Sequence, residues 1–103
     1  MKNYKILTLP SAERDIEEIT EYIGEKLKAS GAAAKFIDKI LDVYEKLSTF
    51  PEMGTELKNR YPLQYKYRWI LIDNYILFYI IKDDKVIVMR LLYSSSNYLN
   101  VLM

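Results

Sequence analysis

The strongest constraint on the fold lies in the last third of the chain. Three runs dense in aromatic and β-branched residues, Tyr65–Ile72, Tyr75–Ile81 and Val86–Tyr93, follow one another there with only Asp73-Asn74 and Lys82–Lys85 between them. Such residues suit a pleated surface, and connections this short can only turn a strand back on its neighbour. The runs therefore predict consecutive antiparallel strands. Several are apolar at both odd and even positions, the pattern of inner strands with helices covering one side.

The first half of the chain supplies those helices. Tyr4–Leu9 reads as a short strand stopped by Pro10, which has no N–H to donate to a ladder. If that strand joins the sheet, it must lie along an edge or beside the last strand. Ser11 is the expected N-cap of a first helix, in which Ala12, Ile16, Ile19, Ile23 and Leu27 recur at helical spacing. Glu13, Asp15, Glu17 and Glu18 suit the positive end of its dipole. After a break at Ala29-Ser30-Gly31, with Ser30 as a cap, a second helix carries Ala33, Phe36, Ile37, Ile40, Leu41, Tyr44 and Leu47. So short a turn makes the pair a helical hairpin. Phe50-Pro51 closes it, residues 52–61 are expected as a loop around Gly54, and the tail from Ser94 to Met103 as a short turn or helix. The order β-α-α-β-β-β implies an α+β fold, a small twisted, largely antiparallel sheet packed on an N-terminal helical hairpin. At 103 residues it is expected to be one domain spanning 1–103.

Composition removes whole classes of chemistry. The chain has no cysteine and no histidine. Disulfides, thiol nucleophiles, Cys/His zinc sites and Ser-His-Asp triads are thereby excluded. Acid–base work would fall to Asp, Glu, Lys, Arg or Tyr. The carboxylates Glu13, Asp15, Glu17, Glu18, Glu21 and Glu25 spread around a helix instead of converging, so they read as a solvated face; no metal or other cofactor is expected. Neither a signal peptide nor a bilayer-spanning run is visible, and a soluble cytoplasmic location without membrane contact is expected. A net charge of +1 excludes a uniformly basic coat but not a local patch.

One such patch stands out. Lys58, Arg60, Lys66 and Arg68 alternate with Tyr61, Tyr65, Tyr67 and Trp69, and residues 58–69 contain no carboxylate. Cations of this kind neutralise phosphates while rings stack on unpaired bases, which makes Lys58, Arg60, Lys66 and Arg68 candidates for binding nucleic acid or the target. Equally, alternate strand residues point to solvent, and basic edge strands guard against aggregation. Arg90 is isolated inside an apolar strand and needs an anionic partner, either a carboxylate or a ligand phosphate, unless its head reaches water. Arg68 and Arg90 would form a two-point clamp if their strands were adjacent and in register. Tyr93 and Tyr98, flanking Ser94-Ser95-Ser96-Asn97, are candidate acid–base groups beside those arginines, although packing with the hydroxyl in water is the commoner role of such tyrosines. The acidic first helix and the basic 58–68 stretch give the molecule two poles of opposite sign, suited to a charged peptide partner.

The residues also carry a resemblance. Pro10-Ser11-Ala12-Glu13-Arg14-Asp15-Ile16 with Ile19 and Tyr22-Ile23, then Ala33, Phe36 and Ile40, Leu47 with Phe50-Pro51 and Gly54, Tyr67-Arg68, Asn74-Tyr75, Phe78-Tyr79, and Val88-Met89-Arg90 leading to Tyr93 resemble, in order and spacing, the RelE/ParE superfamily of toxins. The resemblance implies the β-α-α-β-β-β fold, membership of a type II toxin–antitoxin module, and a small cognate antitoxin that wraps and blocks the toxin. It implies one of two targets. RelE-like members cut messenger RNA on the ribosome without metal, using arginines, lysines and a tyrosine; ParE-like members poison DNA gyrase. Where many relatives carry Gly-Arg-Arg-Asp-Tyr after the last strand, this chain has Ser94, Ser95, Ser96, Asn97 and Tyr98, and Ile76 follows Tyr75 where RelE-like nucleases place an arginine. These departures favour a ParE-like toxin. The alternatives are a messenger-RNA endonuclease built on Arg68, Arg90, Tyr93 and Tyr98, and a non-toxic remnant that still binds antitoxin. The aromatic strands and the tail Tyr98-Leu99-Val101-Leu102 are expected to expose an apolar patch for the antitoxin, through which free copies would pair as a homodimer.

Overall fold

A computed structural model describes residues 3–26, 31–59 and 62–103. The elements run β1 (Lys5–Thr8), α1 (Pro10–Lys26), α2 (Ala32–Thr49), a 3-10 turn at Pro51–Met53, β2 (Thr55–Glu56), β3 (Arg68–Ile72), β4 (Tyr75–Lys82), β5 (Lys85–Tyr93) and α3 (Tyr98–Leu102). The strands form one sheet in the order β1-β5-β4-β3-β2. The α+β arrangement of helical hairpin and mostly antiparallel sheet is the one expected. β1 satisfies both options open to it, since it lies on the edge and beside the last strand, paired parallel to β5.

Local chemistry explains the departures. Ser11 is not the N-cap of α1. The helix starts two residues earlier than a Ser11 cap would give, at Pro10, whose fixed φ suits the first helical position and whose missing N–H costs nothing there. The first helical bond runs from Glu13 N–H to the Leu9 carbonyl, 2.9 Å, and the Ser11 hydroxyl donates instead to the Met89 carbonyl of β5 at 3.1 Å. Leu27, Ala29 and Ser30 lie outside the described residues; the N-cap of α2 is Gly31, at a φ of 82° that favours glycine, with no side-chain cap. The stretch 52–61 is not all loop, because Thr55 and Glu56 pair antiparallel with Trp69 and Arg68. The strand expected from Tyr65 begins only at Arg68. Both β-hairpins turn through an aspartate at positive φ, Asp73 at 53° and Asp83 at 57°, as tight two-residue turns require.

The sheet is covered on both faces. Ala12, Ile23, Phe36, Ile40 and Leu47 of the hairpin bury Ile72, Leu77, Tyr79, Val86, Val88 and Leu91. On the far face, Tyr67, Leu57 and Leu63 from the 57–67 segment, with Leu102 and Tyr98 of the tail, cover Ile76, Phe78 and Ile80. β4, between two neighbours and two layers, is buried from Ile76 through Ile80. Full burial of one such side chain stabilises by about 1.5–3 kcal/mol, which makes β4 the strand least tolerant of change. This coverage narrows the expected exposed patch on the aromatic strands and tail, where Tyr65, Leu71, Tyr93, Val101 and Met103 stay exposed. Leu102 is buried and Tyr98 packs its ring 5.2 Å from that of Phe78; the larger exposed side chains elsewhere include Ile37, Leu41 and Phe50.

Candidate functional site

β5 is interrupted by a bulge. Phe78 pairs with Arg90 but the next residue, Tyr79, pairs with Val88, leaving Met89 without a partner. Val86 and Val88 face the helices before this step and Leu91 faces them after it. The bulge turns the Arg90 side chain and the Leu91 N–H together toward α1. There they meet Asp15. Arg90 donates from Nε at 2.6 Å and from Nη2 at 2.9 Å to the two carboxylate oxygens, and Leu91 N–H adds a third bond at 3.0 Å. Asp15 is the one charged residue that is buried among those described, and these bonds are what allow it. Hydrogen bonding to Asp15 is also the largest influence on the Arg90 guanidinium, whose pKa it raises.

Arg68 is likewise engaged. It pairs with Tyr79 across β3 and β4 and turns toward the loop that leaves α2. Its Nη1 donates to the Gly54 carbonyl at 2.7 Å and the Glu52 carbonyl at 3.2 Å, and Nη2 reaches the Glu56 carboxylate at 3.3 Å. Under the same loop, the buried Tyr79 hydroxyl donates to the Pro51 carbonyl at 2.7 Å and accepts from Gly54 N–H at 2.9 Å. Burial, the largest influence, raises the Tyr79 pKa. The two arginines do not form a clamp, because β4 separates their strands. Nor do the candidate tyrosines join them. Tyr93, 49% exposed, sets its ring edge-to-face on Tyr75 at 5.5 Å, and Tyr98 packs on Phe78 on the opposite face of the sheet.

The remaining cations of the basic run frame a cleft. Between β2, β3 and the segment joining them lies a concavity of about 720 Å³, lined by Glu56, Leu57, Lys58, Asn59, Pro62, Leu63, Tyr65, Lys66, Tyr67, Arg68 and Ile81. Lys58 and Lys66 are exposed at its walls and, among the described residues, form no ion pair. Tyr65 meets Tyr67 edge-to-face at 6.0 Å, and Tyr67 in turn meets Phe78 at 6.5 Å, so the cleft has an aromatic floor. Arg60 and Tyr61 lie outside the described residues. The arrangement offers two free ammonium groups over an apolar bed, which suits an acidic, partly apolar surface on a partner.

A second hollow, of about 290 Å³, lies between α1 and α2 and was not foreseen. Ile16, Ile37, Ile40, Leu41 and Tyr44 form its apolar wall, with Glu13 and Glu17 on its rim. Its signal was present as Ile37 and Leu41, which widen the apolar stripe of α2 beyond what one hairpin buries; they are 41% and 57% exposed. Among the described residues no group of His, Cys, Asp or Glu is placed to hold a metal ion, and no helix is long and apolar enough to cross a membrane.

A search of curated proteins returns no match. Among solved structures, the chain resembles the chromosomal ParDE toxin–antitoxin system from P. aeruginosa, with 14% identity over 87% of this chain and 95% of the other at a TM-score of 0.69. It also resembles the toxin–antitoxin complex RelBE2 from Mycobacterium tuberculosis, with 18% identity over 93% and 97% at a TM-score of 0.61. A copper-bound mutant toxin from Helicobacter pylori follows, with 18% identity over 89% and 96% at 0.56. At these identities the likeness is one of fold. The sequence model of the ParE toxin of the type II toxin–antitoxin system parDE matches residues 6–98, and the chain therefore belongs to the ParE toxin family.

Proposed function

We propose that this toxin arrests growth by binding DNA gyrase rather than by cutting RNA, and that a cognate antitoxin holds it inactive in the cytoplasm. One observation carries the choice: both arginines on which a nuclease would depend are committed to the protein's own groups. Arg90 is locked by two bonds to Asp15, and Arg68 is spread over Glu52, Gly54 and Glu56. Cleavage of a phosphodiester without metal needs preorganised cations aimed at the developing charge. The connection after β5, Ser94–Asn97, adds none. What stays available is a binding surface, the cleft of Lys58, Lys66 and Tyr65, and we place the target there.

The antitoxin is assigned to the hollow between α1 and α2. Its apolar wall suits the apolar face of an amphipathic segment, and its Glu13 and Glu17 rim favours a basic one. Free toxin would pair through the same Ile37 and Leu41 strip.

Tightly induced expression with pulse-labelling of DNA and protein synthesis in one culture tests the reading, together with supercoiling assays on purified gyrase. Early loss of DNA synthesis and inhibited supercoiling are expected. Early loss of protein synthesis would overturn the choice in favour of the ribosomal nuclease. Undisturbed growth with soluble protein present would mean a remnant without toxicity.

A further inference from the structure

Along the cleft, the pairing of β2 with β3 sets charges face to face. Glu56 stands directly opposite Arg68, so their side chains share one face of the sheet. Leu57 N–H then donates to the Tyr67 carbonyl at 2.9 Å, which carries the register one residue further. The next opposed positions are 58 and 66, both lysine. Like charges opposed on neighbouring strands destabilise the pairing. Lys58 and Lys66 are exposed and line the cleft, and among the described residues no carboxylate pairs with either. An anion between the two ammonium groups would remove their repulsion.

Arg68 beside them is bound unevenly. Its Nη1 is fixed by two backbone carbonyls, Gly54 at 2.7 Å and Glu52 at 3.2 Å. Nη2 holds only the Glu56 carboxylate, at 3.3 Å, which is longer than the roughly 2.7–2.9 Å usual for such a charged pair. Nε donates to nothing among the described residues. The Glu56 side chain is 63% exposed, and an ion pair so placed contributes little. The backbone therefore orients the guanidinium, while its anion is held loosely. Outside the lining, Glu52 and Asp83 are exposed carboxylates, Lys82 is an exposed ammonium, and Asp84 is paired with Lys85 at 3.7 Å. The balance stays positive, since Lys58, Lys66 and Arg68 face only Glu56 within the cleft.

We propose that Glu56 is a placeholder: it occupies Arg68 in the free toxin, and a carboxylate from an acidic segment of the target replaces it. A second carboxylate of that segment bridges Lys58 and Lys66. The incoming group takes Nη2 and Nε together, a two-point contact that Glu56 does not make. A peptide suits the cleft because Leu57, Leu63 and Tyr65 offer an apolar bed to the side chains between its carboxylates. The exchange rests on the reading that an acidic surface of the target enters this cleft.

A capped hexaglutamate peptide is the probe, titrated into the full chain at low ionic strength while lysine and arginine side-chain resonances are followed by NMR. Saturable shifts of Lys58, Lys66 and the Arg68 Nε–H are expected. Glu56→Gln should tighten binding about two- to fivefold, the scale of one exposed ion pair, and Lys58→Gln or Lys66→Gln should weaken it by a similar factor. Glu52→Gln removes the same charge but leaves Arg68 Nη2 occupied, because Glu52 meets Arg68 through its carbonyl; affinity should stay nearly unchanged. Circular dichroism checks folding; should Glu56→Gln unfold, Glu56→Asp, which draws the carboxylate back from Arg68, replaces it and should also tighten binding. Unchanged or weaker binding by the Glu56 variant would overturn the exchange, as would an equal gain in Glu52→Gln. Tighter binding of a single-stranded oligonucleotide of equal charge would overturn the peptide occupant. Supercoiling assays keep the two readings apart: tighter peptide binding by Glu56→Gln with unchanged gyrase inhibition upholds the exchange and removes gyrase from the cleft.

Discussion

The carboxylate of Asp15 receives three hydrogen bonds from β5, two from the Arg90 side chain and one from the Leu91 backbone. α1 and β5 are thereby joined at the bulge by a partly buried ion pair, Arg90 being 31% exposed at its side chain and Asp15 11%. Asp15→Ala leaves the Leu91 N–H buried without a partner and Arg90 without its anion; a loss of about 2–4 kcal/mol is expected in urea denaturation. Arg90→Ala should cost less, about 1–2 kcal/mol, because solvent already screens part of the pair. The same variants separate the two modes of toxicity. Toxicity of Arg90→Ala should follow the folded fraction alone, whereas complete loss of toxicity in fully folded Arg90→Ala would mean that the guanidinium has a second, external role.

Gly54 is fixed by space, not by backbone angle. Its φ of −74° and ψ of 158° suit any residue, but a Cβ there would lie 2.5 Å from the Tyr79 hydroxyl and 2.8 Å from its ring. Gly54→Ala is expected to destabilise by about 1–3 kcal/mol through this overlap. Tyr79→Phe alone also destabilises, since the Pro51 carbonyl and Gly54 N–H lose their common partner. Combined, the two should cost less than their sum, because the phenylalanine removes the atom nearest the new methyl group. A double-mutant cycle measures the coupling, and strict additivity would show that the loop moves away instead.

Much of this was legible in the sequence for identifiable reasons. The hairpin connections at Asp73-Asn74 and within Lys82–Lys85 and the period of α2 are local signals, and local signals survive tertiary context. The family was readable because weak motifs occurred in the right order. Asp15 was read as one more carboxylate of a solvated face. Yet it sits three residues after Ala12 and four before Ile19, on the apolar stripe, and a carboxylate there needs a cation. The isolated Arg90 posed the complementary question, and only the bulge, which shifts the register by a residue, shows that each answers the other. β2 was missed because two residues carry no periodicity. The packing of Tyr98 and Leu102 in the tail was not legible because their partners around Phe78 lie on the far face of the sheet and are distant in sequence.

Alkaline stability should follow the tyrosines. Burial raises the pKa of Tyr44, Tyr67, Tyr75 and Tyr79 above the usual 10.0. An acid whose folded pKa is raised stays protonated in the folded state while the unfolded chain loses its proton. Its contribution is complete below about pH 10 and is lost as pH rises through the unfolded and toward the folded value. Urea midpoints should therefore be flat from pH 7 to about 9.5 and fall steeply above 10. Tyr44→Phe, which removes one such group and its 2.8 Å bond to Thr8, should lower the plateau slightly and make the fall shallower. An equal slope in wild type and variant would remove Tyr44 from the account.

The cleft between β2 and β3 carries the final prediction. Lys58 and Lys66 are exposed and unpaired among the described residues, so their replacement disturbs no internal contact. Lys58→Glu with Lys66→Glu should change stability by no more than about 0.5 kcal/mol, the usual range for surface positions. If the cleft meets an acidic surface of the target, two charges reversed at one interface create like-charge contacts costing several kcal/mol. Gyrase inhibition should then weaken by at least about tenfold, since each 1.4 kcal/mol is a factor of ten. Antitoxin binding, placed on the far side of the molecule between α1 and α2, should be unaffected. Leu41→Glu should do the reverse, weakening antitoxin binding while leaving toxicity intact. Loss of both activities in the lysine variant would merge the two surfaces into one, and loss of neither would place the target elsewhere on the fold.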